Sequence, residues 1–275
     1  MKKKLRFSYE EKLLESIDNQ FGELPTWNEL GHGRDLVESQ KRGFLADAIL
    51  ITPGLLPEVY DAYQDCLQTV GCCSDGDLFV MQSQEMNASV CAHDGRFNML
   101  VHSSLIEKLT IEELRFVFGH ELGHVVFGHS VYPLRVILEA ISDECEEAVR
   151  LLLRWSCACE ISADRMGLLC CGSMTKAISA LFCISSGLAG IDEDRILATF
   201  RGQYQALMKH IDGVEVAKIG ARTHPMMPIR FKALELSALD ILLLRNEPNA
   251  FSWRNFEKFE IQISNLIESI DMKMQ

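Results

Sequence analysis

The first regular pattern is helical. Leu13, Leu14 and Ile17 fall on one side of the charged stretch 8–20, which predicts an amphipathic helix. Residues 21–45 carry glycines and no clear period, and read as an irregular connection. Residues 46–52 fit a strand closed by Thr52-Pro53-Gly54, and 57–70 fit a second helix. From Asp77 to His102 the period changes to two. Leu78-Phe79-Val80-Met81, 87–92 and 97–102 predict three strands, and His93-Asp94-Gly95-Arg96 joins the last two as a hairpin, because Asp-Gly tolerates the backbone angles of a tight turn. The next helix has a defined start. Thr110 and Glu113 stand in the Thr-x-x-Glu relation of a capping box, and Leu114, Phe116, Val117 and Phe118 follow. Further helices are expected over 134–153, 156–170, 174–187, 194–211, 226–245 and, beyond Pro248 and Asn249, 252–271.

Helices packed on a short run of strands make an α+β plan, mainly helical, with a small antiparallel sheet over the helix that begins at Thr110. The pattern divides into an N-terminal helical extension (1–45), a central domain (46–246) and a C-terminal amphipathic helix (247–275). At 275 residues the chain can bury a sizeable core. No apolar run approaches the roughly 18 residues a membrane span needs; the richest stretch, Leu151 to Gly190, is broken by Arg154, Glu160, Asp164, Arg165 and Lys176. Lys2, Lys3 and Lys4 could open a signal peptide, but Glu10, Glu11 and Lys12 interrupt any apolar segment after them, so a cytoplasmic location is expected. The net charge of −12 works against a nucleic-acid partner. Ten cysteines, several adjacent or next but one, suit reduced core thiols better than a disulfide framework. Cys157 and Cys159 lack the downstream pair that a structural metal site would need.

Chemistry concentrates in Gly119-His120-Glu121-Leu122-Gly123-His124. Residues four apart on a helix lie about 40° apart around its axis, so His120 and His124 can reach one Zn²⁺. Glu121 projects beside the ion, where it can take a proton from a water and pass it to a leaving amine. Gly119 and Gly123 allow another element to approach closely. A catalytic zinc keeps three protein ligands, and Glu160 in Glu160-Ile161-Ser162-Ala163-Asp164-Arg165 can be the third. Asp164, one turn on, can accept a hydrogen bond from the ring nitrogen of His120 that faces away from the metal, fixing its tautomer. His129 lies about 140° around the helix from His124 and should miss the ion; His93 and His102 should flank the cleft or face solvent, and His32 and His210 have no partner pattern.

Gly-His-Glu-Leu-Gly-His followed by Glu-x-Ser-Ala-Asp-Arg resembles the zinc peptidases that include the CAAX prenyl proteases and the HtpX heat-shock proteases. Leu56-Pro57-Glu58-Val59-Tyr60, Met86-Asn87-Ala88, Leu109-Thr110-Ile111-Glu112-Glu113-Leu114 and Thr223-His224-Pro225 with Arg230 extend the resemblance over about residues 45–240. The family implies a gluzincin fold with one zinc per chain, held by His120, His124 and Glu160. It also implies that the edge strand at Asn87, Ala88 and Ser89 holds an extended peptide by strand addition. His224 would donate to the oxyanion of the reacting carbonyl, with Arg230 supporting it or the C-terminal helix. Members in membranes place hydrophobic spans near the site. Here 130–158 carries Arg135, Glu139, Asp143, Glu144, Glu146, Glu147, Arg150 and Arg154, so a soluble branch is expected. The expected activity is zinc-dependent endopeptidase, acting on peptide or protein substrates. The competing readings are a latent enzyme whose tails cover the cleft and a peptide-binding, chaperone-like module without turnover. An aminopeptidase would need an anchor for a free amino terminus, and the sequence offers none.

Overall fold

The computed structural model describes residues 5–31, 35–141, 145–211 and 226–272. Helix α1 spans Ser8–Phe21, α2 Leu36–Asp47 and α3 Pro57–Val70. Pro57 starts α3 at a position whose N–H needs no partner, and Gly71 ends it in the left-handed conformation. Four strands follow the order β1-β2-β4-β3, with β1 at Ile49–Leu50, β2 at Asp75–Met81, β3 at Ala88–His93 and β4 at Arg96–His102. Asp94 and Gly95 take φ values of 49° and 74° and make the tight β3–β4 turn, with His93 opposite Arg96.

The sheet is mixed rather than purely antiparallel. β1–β2 and β3–β4 are antiparallel, but β2 pairs parallel to β4, Asp75 opposite Arg96 through Met81 opposite His102. After β2 the chain crosses to the far side of β4's place, lays down β3 as the edge, and returns beside β2 in β2's own direction. Period-two patterning fixes which face a strand buries but not its neighbour, which is why the parallel pair escaped it.

The short helix α4 (Ser103–Lys108) leads into α5 (Ile111–Phe127), whose capping box is formed: Glu113 N–H donates to Thr110 Oγ1 at 3.3 Å, and Thr110 N–H to Glu113 Oε2 at 2.8 Å. A 3-10 turn, His129–Val131, follows, then α6 (Leu134–Ile141), α7 (Glu146–Cys171), α8 (Met174–Ser186), α9 (Glu193–Ile211), α10 (Met227–Asn246) and α11 (Trp253–Met272).

Two expected boundaries change. The helices placed over 134–153 and 156–170 are instead α6 and one continuous α7, since nothing in Arg154-Trp155-Ser156-Cys157 breaks a helix. The irregular stretch 21–45 contains most of α2, which buries only Val37 and so shows little apolar period; the strand expected over 46–52 shrinks to two residues.

The main core joins Leu78, Phe97, Met99 and Val101 of the sheet to Leu114, Phe118 and Leu122 of α5 and Met166 and Leu169 of α7. A second core packs Phe7, Leu13 and Ile17 against Leu152, Trp155 and Ile161 of α7 and Ile263 of α11. Both ends of the described chain therefore close on α7. Arg165 is the polar pin of that contact. It is 1% exposed, donates to Leu5 O at 3.2 Å, pairs with Glu260 at 2.5 Å, and lies between the Phe7 and Phe256 rings at 5.1 and 4.8 Å. All ten cysteines are free, and burial pushes the Cys159 thiol well above its ordinary pKa. Among the described residues no helix is long and apolar enough to cross a membrane.

Candidate metal centre

Helices α5 and α7 cross at glycines. A Cβ on Gly119 would lie 2.8 Å from Met166 O, one on Gly123 2.9 Å from Ala163 Cα, and one on Gly167 2.7 Å from Phe116 O. These neighbours are backbone atoms that cannot swing aside. The three glycines thus set the interhelical distance, and that distance brings Glu160 of α7 to His120 and His124 of α5.

His120 Nε2 and His124 Nε2 are 3.2 Å apart, His120 Nε2 is 3.5 Å from Glu160 Oε2, and His124 Nε2 is 3.4 Å from Glu160 Oε1. Ligands at about 2.05 Å from a tetrahedral ion stand about 3.3 Å from one another. The triangle matches that edge on all three sides, with two imidazole nitrogens and a carboxylate as donors. The residues present therefore fit a zinc-type ion. Glu160 is 6% exposed. Burial works to raise its pKa, but the hydrogen bond with His124 and the charges of His120 and Arg230 outweigh it, holding the carboxyl well below the usual range. For His124 burial works downward and Glu160 upward, with a net rise.

Asp164 Oδ1 lies 2.9 Å from His120 Nδ1, and Asp164 in turn accepts from Arg230 Nε at 2.8 Å and Nη2 at 2.5 Å. An acceptor occupied by a guanidinium leaves His120 Nδ1 as the donor, so its Nε2 lone pair faces Glu160 and His124. Against the upward pull of burial, Arg230 holds the Asp164 carboxyl below its ordinary pKa. Arg230 thus lies on Asp164, with Nη1 3.6 Å from Glu160. Glu121 is 8% exposed, and its charge acts on both His124 and Arg230.

One partnership escaped the sequence. His129 misses the triangle but touches a member of it: His124 Nδ1 to His129 Nδ1 is 2.8 Å, and His129 Nε2 to Glu10 Oε2 is 3.0 Å. Glu10 comes from α1, 119 residues away, and no local spacing could have signalled it. Asn87, Ala88 and Ser89 lie at the edge of the sheet, with Asn87 O accepting from His102 N–H at 3.0 Å and Ala88 and Ser89 opposite Val101 and Leu100. His102 is buried with Nδ1 3.1 Å from Glu85 O, and His93 Nε2 is 3.1 Å from Asn28 Oδ1. His224 and His32 lie outside the described residues.

Residues 57–142 match the model of peptidase family M48. Over these residues the chain is similar to the M48 metallopeptidases. The match takes in α3, strands β2, β3 and β4 and all of α5, and stops short of Glu160 and Asp164 on α7. A curated relative, the plastoglobule-localized metallopeptidase 48 of Arabidopsis thaliana chloroplasts, is 29% identical over 177 residues, 58% of this chain and 51% of that protein. The chain thus spans about half the length of the M48 relative it matches. No solved structure matches it.

Proposed function

We propose that this chain is an M48-type zinc-dependent endopeptidase acting on extended segments of peptide or protein, with one ion held by His120, His124 and Glu160. The observation that carries the reading is the triangle of 3.2, 3.4 and 3.5 Å between the three donors, whose edges suit a tetrahedral ion. Bound there, zinc supplies Lewis acidity to a peptide carbonyl and makes a water a nucleophile at neutral pH.

The rest is the work of this chain's residues. Glu121 takes the proton of the attacking water and delivers it to the leaving amine. Asp164 keeps the His120 proton on Nδ1, and Arg230 keeps Asp164 ionised, so the ring presents a lone pair. The edge strand at Asn87, Ala88 and Ser89 binds substrate backbone by strand addition, which would give affinity with little dependence on side-chain identity. His224 donates to the developing oxyanion, a role taken from the resemblance of His224-Pro225 with Arg230 to the family's pattern.

The test joins metal analysis to cleavage of an unbiased peptide library by the full chain and its Glu121→Gln variant. The variant is expected to retain about one zinc per chain and to lose at least a hundredfold in cleavage rate, the usual scale of a general acid–base contribution. Chelation should abolish wild-type cleavage, with recovery on zinc addition. Cleavage by Glu121→Gln at the wild-type rate would sink the mechanism. Zinc binding and tight peptide binding without turnover in either protein would instead favour a peptide-binding module.

A further inference from the structure

Glu10, His129, His124 and Ser162 form a buried chain of polar contacts that the proposed chemistry does not use. Glu10 and Ser162 are 0% exposed and His129 7%. The protons on this chain can be assigned from its ends. Glu10 Oε2 accepts from Arg6 Nε at 2.6 Å, and a guanidinium only donates, so this oxygen is an acceptor. Ser162 Oγ accepts from Phe7 N–H at 2.7 Å and therefore donates its own hydrogen to Glu10 Oε1. Facing Oε2 at 3.0 Å, His129 Nε2 must carry a proton, which leaves His129 Nδ1 as an acceptor in the neutral ring. His124 Nδ1, 2.8 Å away, is then the donor, and the His124 Nε2 lone pair is turned toward His120 and Glu160.

We propose that Glu10, acting through His129, positions His124 for metal binding, so that docking of the N-terminal segment on α7 sets the affinity of the site for zinc. The proposal rests on His124 being a zinc ligand. It adds a dependence on Glu10 and Ser162, which lie outside the part of the chain matching the M48 model. His120 takes its orientation from a carboxylate on α7 itself, whereas His124 takes its own from a carboxylate delivered by α1. A site assembled in this way is complete only when Phe7 and Glu10 are seated against Ser162.

Glu10, His129 and Cys159 also lie close enough to hold a second ion. The bonding opposes this. Both ring nitrogens of His129 are engaged, at 2.8 and 3.0 Å, and the Arg6 guanidinium already sits on Glu10. These positions make His129 a link rather than a ligand.

The test measures zinc affinity of the full-length apo protein by competition with a chromophoric chelator, beside far-UV circular dichroism and thermal melting of each apo variant. His129→Phe, which keeps a ring and removes both bonds, is expected to weaken zinc binding roughly tenfold or more, the usual effect of losing a ligand's supporting hydrogen bond. Glu10→Gln should weaken it less. The double variant should bind as His129→Phe does, because Glu10 acts only through the ring. His129→Asn returns an acceptor oxygen near the place of Nδ1 and should recover part of the loss. A purely structural role would lower the apo melting temperature and leave the zinc affinity of the folded protein unchanged. That result, or additive losses in the double variant, overturns the proposal.

Histidine ¹⁵N spectra of the zinc-loaded wild type provide a measurement that needs no variant. Protons on His124 Nδ1 and His129 Nε2 are expected, and a proton on His129 Nδ1 overturns the chain. Two zinc ions in the wild type falling to one in Glu10→Gln would make the cluster a metal site and overturn it too. Absence of zinc binding in the wild type would sink the metal reading itself and this proposal with it, whereas wild-type binding with no change in His129→Phe sinks only the link.

Discussion

His120 and His124 sit one turn apart on the same helix, and each is oriented by a buried carboxylate, yet the two supports are built differently. His120 reaches Asp164 in one step of 2.9 Å; Asp164 stands one turn from Glu160 on α7 and is clamped by Arg230 of α10. His124 reaches Glu10 in two steps of 2.8 and 3.0 Å, through His129, and Glu10 belongs to a helix near the chain's start. The first support rides on the helix that carries the third donor, so whatever places Glu160 also places Asp164. The second depends on a separate element staying docked. The contrast predicts that damage to the Asp164 side acts as a defect of the core, while damage to the Glu10 side acts through attachment of the N-terminal segment.

The largest effect should come from Arg230. Replacing it with Met leaves Asp164 ionised, buried and without its bidentate partner. Breaking a buried ion pair from one side typically costs about 3–5 kcal/mol, because the charge that remains is uncompensated. Urea denaturation of the apo protein at about pH 7 should show the loss as a lower midpoint with an unchanged slope. Adding Asp164→Asn to Arg230→Met should recover most of it, since the amide oxygen still accepts from His120 Nδ1 and the stranded charge is gone. Failure of the second substitution to rescue the first would mean that Arg230 acts by packing and not by charge.

The two sides also differ in how much of them the sequence could reveal. Glu160 and Asp164 are four residues apart in a run of apolar neighbours, a local pattern that helix geometry turns directly into one face. The capping box of α5, the Asp94-Gly95 turn and the Pro57 start of α3 were legible for the same reason: each is set within a few residues. What could not be read is long-range. The parallel β2–β4 pair depends on where the chain crosses between strands, and the Glu10–His129 contact depends on α1 docking across 119 residues. His129 lies beyond the end of α5, on the 3-10 turn after Gly128, so an angle counted along the helix from His124 says nothing of the ring it meets. Glu10 looked like one carboxylate among several in a solvated helix, Glu11 and Glu15 beside it, and only packing distinguishes it as fully buried.

A smaller effect tests the attachment. Ser162→Ala removes the hydroxyl that receives Phe7 N–H and serves Glu10 Oε1. Both partners are then buried with one bond fewer, and an unmet buried polar group costs about 1–3 kcal/mol. The urea midpoint should fall accordingly. Hydrogen exchange should accelerate at the Phe7 amide and across α1 while the amides around His120 on α5 keep their protection, because the break lies on the docked element alone. Equal acceleration in α5 and α1 would erase the distinction between the two supports and make them one cooperative unit.

The smallest effect separates the two arginines. Arg6 caps Glu10 at 2.6 Å as Arg230 caps Asp164, but the Arg6 side chain is 25% exposed against 10% for Arg230. A partly solvated pair is worth about 1 kcal/mol or less, so Arg6→Gln should barely move the midpoint at about pH 7. Its mark should appear in acid. Burial works to raise the Glu10 pKa, while the hydrogen bond from His129 and the Arg6 charge bring it below its ordinary value. A carboxyl lowered on folding contributes stability that is fully present above its unfolded pKa of about 4.3 and is lost as pH falls through the folded value. Without Arg6 the folded pKa rises toward the unfolded one. The unfolded chain then binds fewer extra protons relative to the folded chain, and the contribution shrinks and is gone at a higher pH. Urea midpoints taken from about pH 7 down to about pH 3.5 should therefore lie slightly below wild type at the neutral end, fall less steeply below the unfolded pKa, and converge on wild type in acid. An equally steep fall in both proteins would mean that His129 and Ser162 alone hold Glu10 ionised, leaving the N-terminal support with no counterpart to the clamp that Arg230 places on Asp164.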